Sequence, residues 1–443
     1  MDAMVVPFVG EGSGSGELSW GQLDVWLKMR RLGRSFAMGG ARPLPPGATV
    51  EDVAGELAYL MGRYQSMRTR FIPTADGLPR QVVYECGTID LEVVDGDAES
   101  IAQRYRTTPF DYEHGWPVRM AAVVDGGRCT HAVLVMSHLV FDGAGAVVMM
   151  AETAARTPLP VRGAAPLEQA RQQALPAARR HNQAALRHWE ARLREIPVPV
   201  VPPSRDVRSP RYHQGVYRTT ALPEALLAAA REHGTDTAAV LLAVFAKAFA
   251  AVTGVVVLPL RLMSSNRFRA ELDGSVSPVS QNGLCVLDTT GDLGTVVRRA
   301  RGAAMTAYKY AYYDRRDLEA RIAAVAAERG AGVDLDVNFN DRRFGGSLRP
   351  VLPPAGPHGE FAWVSAHDDP QSGFFLNVDG SDEVLELTVY VDSHFIAPSD
   401  AVRILHEMES SALEAAAPAG GGDAAAAAQD GVAGTVGIAA VGL

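Results

Sequence analysis

Cysteine is scarce in this 443-residue chain: Cys86, Cys129 and Cys285 are the three present, far apart and odd in number. Such a set builds no disulfide framework and carries no metal-ligand spacing, so neither a disulfide scaffold nor a metal site is expected. Long runs of positive charge are missing too. With a net charge of −9 and no Lys/Arg cluster, nucleic acid is not an expected partner. Uninterrupted apolar runs of membrane-spanning length are also missing. The nearest, residues 234–260, is broken by Asp236, Lys247 and Gly254 and reads as a buried helix running into a strand. The opening MDAMVVPFVGEGSGSGELSW lacks the basic start and apolar core of a signal peptide. No membrane is expected, and the cytoplasm is the default location. No glycine-rich phosphate loop occurs, so ATP is not implied.

What is present is the composition of an ordinary globular protein, 47% hydrophobic and 21% charged, long enough for two domains or one two-lobed domain. Residues 1–17 are rich in Gly and Ser and are expected to be a flexible N-terminus. From Leu18 to about Thr153, helical patterns alternate with short strand patterns at 80–85, 91–95 and 131–137. A long helical stretch follows over about 166–195, its basic residues interleaved with Ala, Leu and Glu as on a solvated helix face. A Pro/Ser-rich segment near 197–210 reads as a linker, and from Tyr212 the α/β alternation resumes. Tyr308, Tyr310, Tyr312 and Tyr313 form an aromatic patch best explained by core or interface packing. Residues 417–443, Ala/Gly-rich and of low complexity, are expected to be a disordered tail. Phe344 to Leu348 superficially suggests a phosphopantetheine attachment segment, but the Gly–Ser spacing and the Pro-rich sequence after it reject that reading.

The segment HAVLVMSHLVFDGAGAVVMMAE carries the chemistry. The apolar run His131–Met136 predicts a buried strand that delivers His138 at its end; a short loop then carries Asp142 and Gly143, and a helix leaves from Ala144. Histidine is the side chain best suited to exchanging a proton near neutral pH. By itself HxxxDG is a modest signal, because a rim histidine followed by an Asp-Gly turn is an ordinary arrangement.

Three more segments accompany it in order. LSWGQLDVW matches an S-x-x-Q-x-x-x-W pattern through Ser19, Gln22 and Trp26. RYQSMRTRF carries Arg68, Thr69 and Phe71, and PFDYEHGWPVRM carries Phe110, Asp111, Gly115, Pro117 and Arg119. Together with SHLVFDG these resemble the condensation domains of nonribosomal peptide synthetases, over about residues 14–416. The resemblance implies an α/β, two-lobed chloramphenicol-acetyltransferase-like fold, with an N-terminal lobe at 18–200, a C-terminal lobe at 201–416 and an active-site tunnel between them. It departs at one point: the first histidine of the family's H-H-x-x-x-D-G is Ser137 here.

The resemblance makes His138 the residue at the acyl-transfer chemistry and Gly143 a backbone amide facing the thioester or its oxyanion, although a simple turn glycine reads equally well. Asp142 takes a structural role paired with Arg267, and Ser137 a supporting position. Asn282 lines the tunnel or, as an edge-strand Asn, satisfies backbone groups. The implied function is amide formation between an acyl thioester on the phosphopantetheine of a carrier protein, acting in trans, and an amine acceptor, free or carrier-bound. No cofactor of the protein's own is implied. Two other readings stay open: a coenzyme A-dependent O- or N-acyltransferase, and a catalytically degenerate scaffold. Epimerising and heterocyclising roles are disfavoured, the first because it keeps both histidines, the second because it places an aspartate where Ser137 stands.

Overall fold

The computed structural model describes residues 2–75, 77–198, 201–343, 351–354, 356 and 359–416. Both the glycine–serine segment near 344–348 and the expected tail at 417–443 lie outside the described residues.

The chain divides into two compact units. The first comprises Met1–Arg194, Met263–Gly283 and Tyr308–Val333. Its main sheet contains β1 (Asp2–Val9), β3 (Ala37–Pro43), β6 (Cys86–Val94), β7 (Val118–Asp125) and β8 (Arg128–Ser137), in the order β1-β6-β7-β8-β3. Its β6–β7 pair is parallel and the other three pairs are antiparallel. A small second sheet joins β2 (Gly14–Gly16), β4 (Thr69–Ile72) and β5 (Arg80–Val83). The helices are α1 (Trp20–Leu32), α2 (Val50–Arg63), α3 (Ala98–Thr107), α4 (Gly143–Ala155), α5 (Pro166–Gln173) and α6 (Pro176–Glu195).

Why β7 and β8 sit centrally is plain from their side chains. They are near-continuous apolar runs, and the two-residue period splits them between two cores. Met120, Ala122, Ala132 and Met136 pack with Leu57, Leu60 and Met61 of α2 and Met149 of α4. Ala121, Val123, Val133 and Val135 pack with Ile101, Ala102 and Tyr105 of α3 on the opposite face. Burying both faces fixes the register of β8, and with it the point where the chain leaves the sheet.

Three expectations need correction. The N-terminal residues are not loose: β1 pairs antiparallel with β6 along its whole length, Asp2 opposite Val93 to Val9 opposite Cys86. Val6 and Phe8, two residues apart, are buried in the core, a short alternation that the Gly/Ser-rich residues after it obscure. The helical stretch from 166 to 195 is two helices, because Pro176 cannot continue α5 and instead opens α6. Residues 263–283 and 308–333, expected in the C-terminal lobe, group with the first unit. Polar contacts hold them there: Arg267 bonds Asp142 and Ser66 bonds the Val276 carbonyl, while Asn182 of α6 bonds Asp317 and the Asp314 amide and Glu190 pairs with Arg321.

The second unit comprises Glu195–Leu262, Leu284–Ala307 and the residues from Asp334. Its seven-stranded sheet contains β9 (Tyr212–Thr219), β10 (Val257–Ser264), β11 (Gln281–Asp288), β12 (Val337–Asp341), β13 (Glu360–His367), β14 (Phe374–Gly380) and β15 (Leu385–Asp392), ordered β11-β10-β12-β14-β15-β9-β13, with Met263 and Ser264 of β10 and Gln281 to Gly283 of β11 grouped with the first unit. Helices α7 (Ala221–Glu232), α8 (Thr237–Thr253) and α11 (Pro398–Ala416) pack against one another. The apolar run of α8 is buried nearly all round, and among the described residues no single helix is long and apolar enough to cross a membrane. Helix α9 (Leu293–Lys309) belongs mostly to this unit, and α10 (Arg315–Arg329) to the first.

Candidate active site

Strand β8 ends at Ser137, and His138 extends its pairing by one bond, the His138 amide donating to the Phe36 carbonyl at 2.7 Å. Leu139, Val140 and Phe141 follow as buried anchors, so the loop after the strand has little freedom. The imidazole is half-buried, with Nδ1 2.8 Å from the Phe141 carbonyl oxygen. A carbonyl can only accept, so Nδ1 carries the proton and Nε2 keeps its lone pair. Burial holds the imidazole below the ordinary histidine value, and the nearby Lys28 ammonium pushes the same way against the field of Asp142. A neutral imidazole whose Nδ1 is committed and whose Nε2 has no hydrogen-bond partner among the described residues can accept a proton.

Asp142 is occupied otherwise. It caps α4, its Oδ1 accepting from the Gly145 amide at 2.8 Å and from Arg267 Nη2 at 2.7 Å. Oδ2 accepts from Arg267 Nη1 at 3.1 Å, from the amides of Val279 and Ser280 at 3.0 and 2.9 Å, and from Ser280 Oγ at 2.7 Å. Burial raises the carboxyl's pKa, but Arg267, Ser280 and the Gly145 amide overcome that and hold it below the usual carboxylate range. Arg267 in turn donates to the carbonyls of Ser265, Ser275 and Ser277. Asn266, next to it, has a left-handed backbone (φ 56°) and is pinned by its side-chain amide on the Val279 and Ala311 carbonyls.

Among the described residues, the Ser137 hydroxyl makes no hydrogen bond to His138. Its hydroxyl, fully buried, lies 2.9 Å from Tyr112 Oη and accepts from the Leu139 amide. Gly143 is the exposed first residue of α4, and a methyl group there would meet nothing within 4 Å. Asn282 is buried on the edge strand β11; its carbonyl accepts from Tyr313 Oη at 2.9 Å, while its side-chain oxygen is buried without a hydrogen-bond partner among the described residues. The structure thus brings His138, Asp142, Gly143 and Arg267 into one loop cluster, and gives Ser137 and Asn282 their own separate partners.

The family model for the condensation domain matches residues 25–341. The chain belongs to the condensation domain family. Nonribosomal peptide synthetase kk1B of Curvularia clavata is 29% identical over 289 residues, a match covering 59% of this chain and 2% of that protein. Among solved structures, the first condensation domain of the calcium-dependent antibiotic synthetase, in complex with a substrate analogue, superposes with a TM-score of 0.68 at 18% identity, covering 93% of this chain and 98% of that one. The X-domain from teicoplanin biosynthesis gives a TM-score of 0.70 at 16% identity, covering 90% and 96%. At these identities the likeness to the structures shows the fold.

In this condensation domain, sequence reasoning missed the residues that surround Asp142 from a distance. Ser275, Ser277, Val279 and Ser280 close the carboxylate and its arginine, and the alternating SVSPVS run is the trace they leave in the sequence. Gly145 was missed as well. A methyl group on it would lie 3.0 Å from Arg267 Nη2 and 3.2 Å from Asp142 Oδ1, so the position that needs glycine is the second one in Gly-Ala-Gly.

Proposed function

We propose that this condensation domain moves an acyl group from a carrier-protein-bound thioester to an amine, forming an amide in nonribosomal peptide or related natural-product biosynthesis. The observation that carries this reading is the His138 Nδ1 bond to Phe141, which leaves Nε2 as the uncommitted base while both carboxylate oxygens of Asp142 are already saturated. The amine nitrogen attacks the thioester carbon. A C–N bond forms, the C–S bond breaks, and the amine proton passes to His138 Nε2 and on to the departing thiolate. The Gly143 amide, at a helix N-terminus and without an intrahelical acceptor, is the group assigned to the developing oxyanion. Asp142 and Arg267 act by holding the loop. Holding two substrates in register supplies much of the rate, and no covalent enzyme intermediate is required.

The test is intact-mass analysis of an acyl-loaded carrier protein with candidate amines, run with wild type and His138→Ala side by side. Loss of acyl group from the carrier together with a new amide, absent in the variant, is the expected result. Equal turnover by the variant would overturn the role of His138.

A further inference from the structure

Although the chain carries a net charge of −9, one face of its first unit holds cations that have no carboxylate partner among the described residues. Arg180 and Arg187 lie on the exposed side of α6, two turns apart, about 10 Å along the helix axis. Beside them on the same helix, His181 and His188 stack on Tyr310, with centroids 6.3 and 4.9 Å away. Lys309 lies over the Tyr310 ring at 5.3 Å, and Arg269 donates to His181 Nε2 at 2.9 Å and to the Lys309 carbonyl. Among the described residues, Arg180, Arg187, Arg269 and Lys309 have no carboxylate at ion-pair distance, whereas their neighbours Arg179 and Arg321 each have one and Arg194 has two. The field of the Glu271 carboxylate reaches His181, and it is outweighed by Arg269 and Lys309.

An arginine left unpaired in a protein with surplus carboxylates is positioned for an anionic surface brought by something else. The patch has the anatomy of a protein interface: flat aromatic and imidazole rings at the centre, arginines at the rim, and Phe268 exposed next to Arg269. It is also continuous with the candidate site, since the loop that presents Phe268 and Arg269 is the one whose Arg267 holds Asp142. A long polyanion such as nucleic acid would overrun these few residues onto the acidic remainder, while a short acidic helix would not.

We propose that the face formed by Arg180, Arg187, Arg269, Lys309 and the Tyr310 stack docks an acidic carrier protein, taking the negatively charged surface beside its phosphopantetheine attachment point. This rests on the carrier-dependent reading above and goes beyond it by naming the surface. The test measures binding and turnover separately. Acidic holo-carrier domains are titrated onto wild type, Arg180→Glu/Arg187→Glu and Lys309→Glu, with RNA as a control polyanion. Turnover is compared for an acyl group on the carrier and the same group on free pantetheine. Both charge-reversed proteins are expected to bind carrier about tenfold or more weakly, to lose the salt dependence of wild type, and to raise KM for the carrier-borne thioester with unchanged rates on free pantetheine. Carrier binding equal to wild type would overturn the proposal, as would RNA competing with the carriers in wild type, or equal losses on both thioesters in a folded variant. Normal carrier binding by wild type without amide formation from either thioester would instead overturn the functional reading and leave the docking face standing.

Discussion

Arg267 reaches across 125 residues of sequence to close two hydrogen bonds on Asp142, Nη2 to Oδ1 at 2.7 Å and Nη1 to Oδ2 at 3.1 Å. With three backbone amides and the Ser280 hydroxyl on the same carboxylate, the acidic member of this buried ion pair is saturated. Such a pair adds little net stability compared with apolar packing, but removing one member leaves the other charge buried and unmatched. Its work is to tie the 265–280 segment to the N-terminus of α4, immediately after His138.

Asp142→Asn tests this. The new amide group would have to turn a donor toward Arg267, or toward the Val279 and Ser280 amides, where an acceptor is required. The expected loss is about 3–5 kcal/mol of unfolding free energy, measured by urea denaturation. A loss under about 1 kcal/mol would show that the pair does not organise the loop. Because the carboxyl titrates below its unfolded value near 3.9, its contribution is present above that pH and disappears as pH falls through the lower, folded value.

Gly143 and Gly145 should respond in opposite ways. The Cβ of Gly145→Ala would press on Arg267 Nη2 at 3.0 Å and Asp142 Oδ1 at 3.2 Å, so a centrally bonded pair must shift. Gly143→Ala meets nothing and removes a flexible residue from the first turn of α4. Thermal unfolding should place Gly145→Ala about 1–3 kcal/mol below wild type, and Gly143→Ala level with it or up to about 1 kcal/mol above. Gly143→Ala keeps its amide and should keep its turnover; a stable but inactive Gly143→Ala would point to substrate needing the space itself.

The parts of the site legible in the sequence are those written locally. An apolar run, a histidine at its end and an Asp-Gly four residues on are a strand, a loop and a helix start, because β8, the loop and α4 follow each other directly. The saturation of Asp142 was not legible, since Val279 and Ser280 arrive from more than 130 residues away and nothing in their own neighbourhood requires a carboxylate. Gly143 drew attention over Gly145 because the turn signal is local, while the crowding that makes Gly145 necessary comes from Arg267. At the N-terminus, composition outweighed pattern: among the strand's described side chains Val6 and Phe8 carry its buried face, too short a period to stand out beside the Gly/Ser segment. The α5–α6 break is marked by Pro176, which the helical periodicity on both sides concealed.

His138 sets the pH dependence of the proposed chemistry. Burial holds its pKa below the ordinary value of about 6.5, so Nε2 remains unprotonated throughout the neutral range. The acid limb of kcat/KM, measured with a substrate that does not itself titrate there, should fall below pH 6.5. It should be absent from the residual rate of His138→Ala, which we expect to be lower by about 10²–10⁴-fold. An acid limb above pH 6.5, or one retained in the variant, would assign the base to another group.

His181 gives a separate pH signal in stability. Burial, with Arg269 and Lys309 in support, lowers its pKa to about 4. Between about 6.5 and 4 the unfolded chain therefore takes up a proton that the folded one refuses, and stability falls as pH drops through that window. Urea midpoints measured across it should decline less steeply for His181→Gln, whose side chain does not titrate. Parallel curves for the two proteins would show that His181 protonates freely in the folded state.

Ser137 stands where the family's first histidine is expected, and its contacts argue that the exchange is structural. The hydroxyl bonds Tyr112 Oη and the Leu139 amide, while His138 is held independently through Phe141. Ser137→Ala should therefore lose about 1–3 kcal/mol by leaving a buried amide unmatched, with turnover per folded molecule unchanged. Ser137→His, which restores the family pattern, must fit an imidazole into a fully buried position beside Tyr112 and should be destabilised by about 1–3 kcal/mol through overpacking. The decisive readout is kcat at a temperature where both variants remain folded. If Ser137→His turns over faster than wild type, the missing histidine was catalytic and this site is an impaired one. If it is no faster while Ser137→Ala retains full kcat, His138 acts without a histidine neighbour.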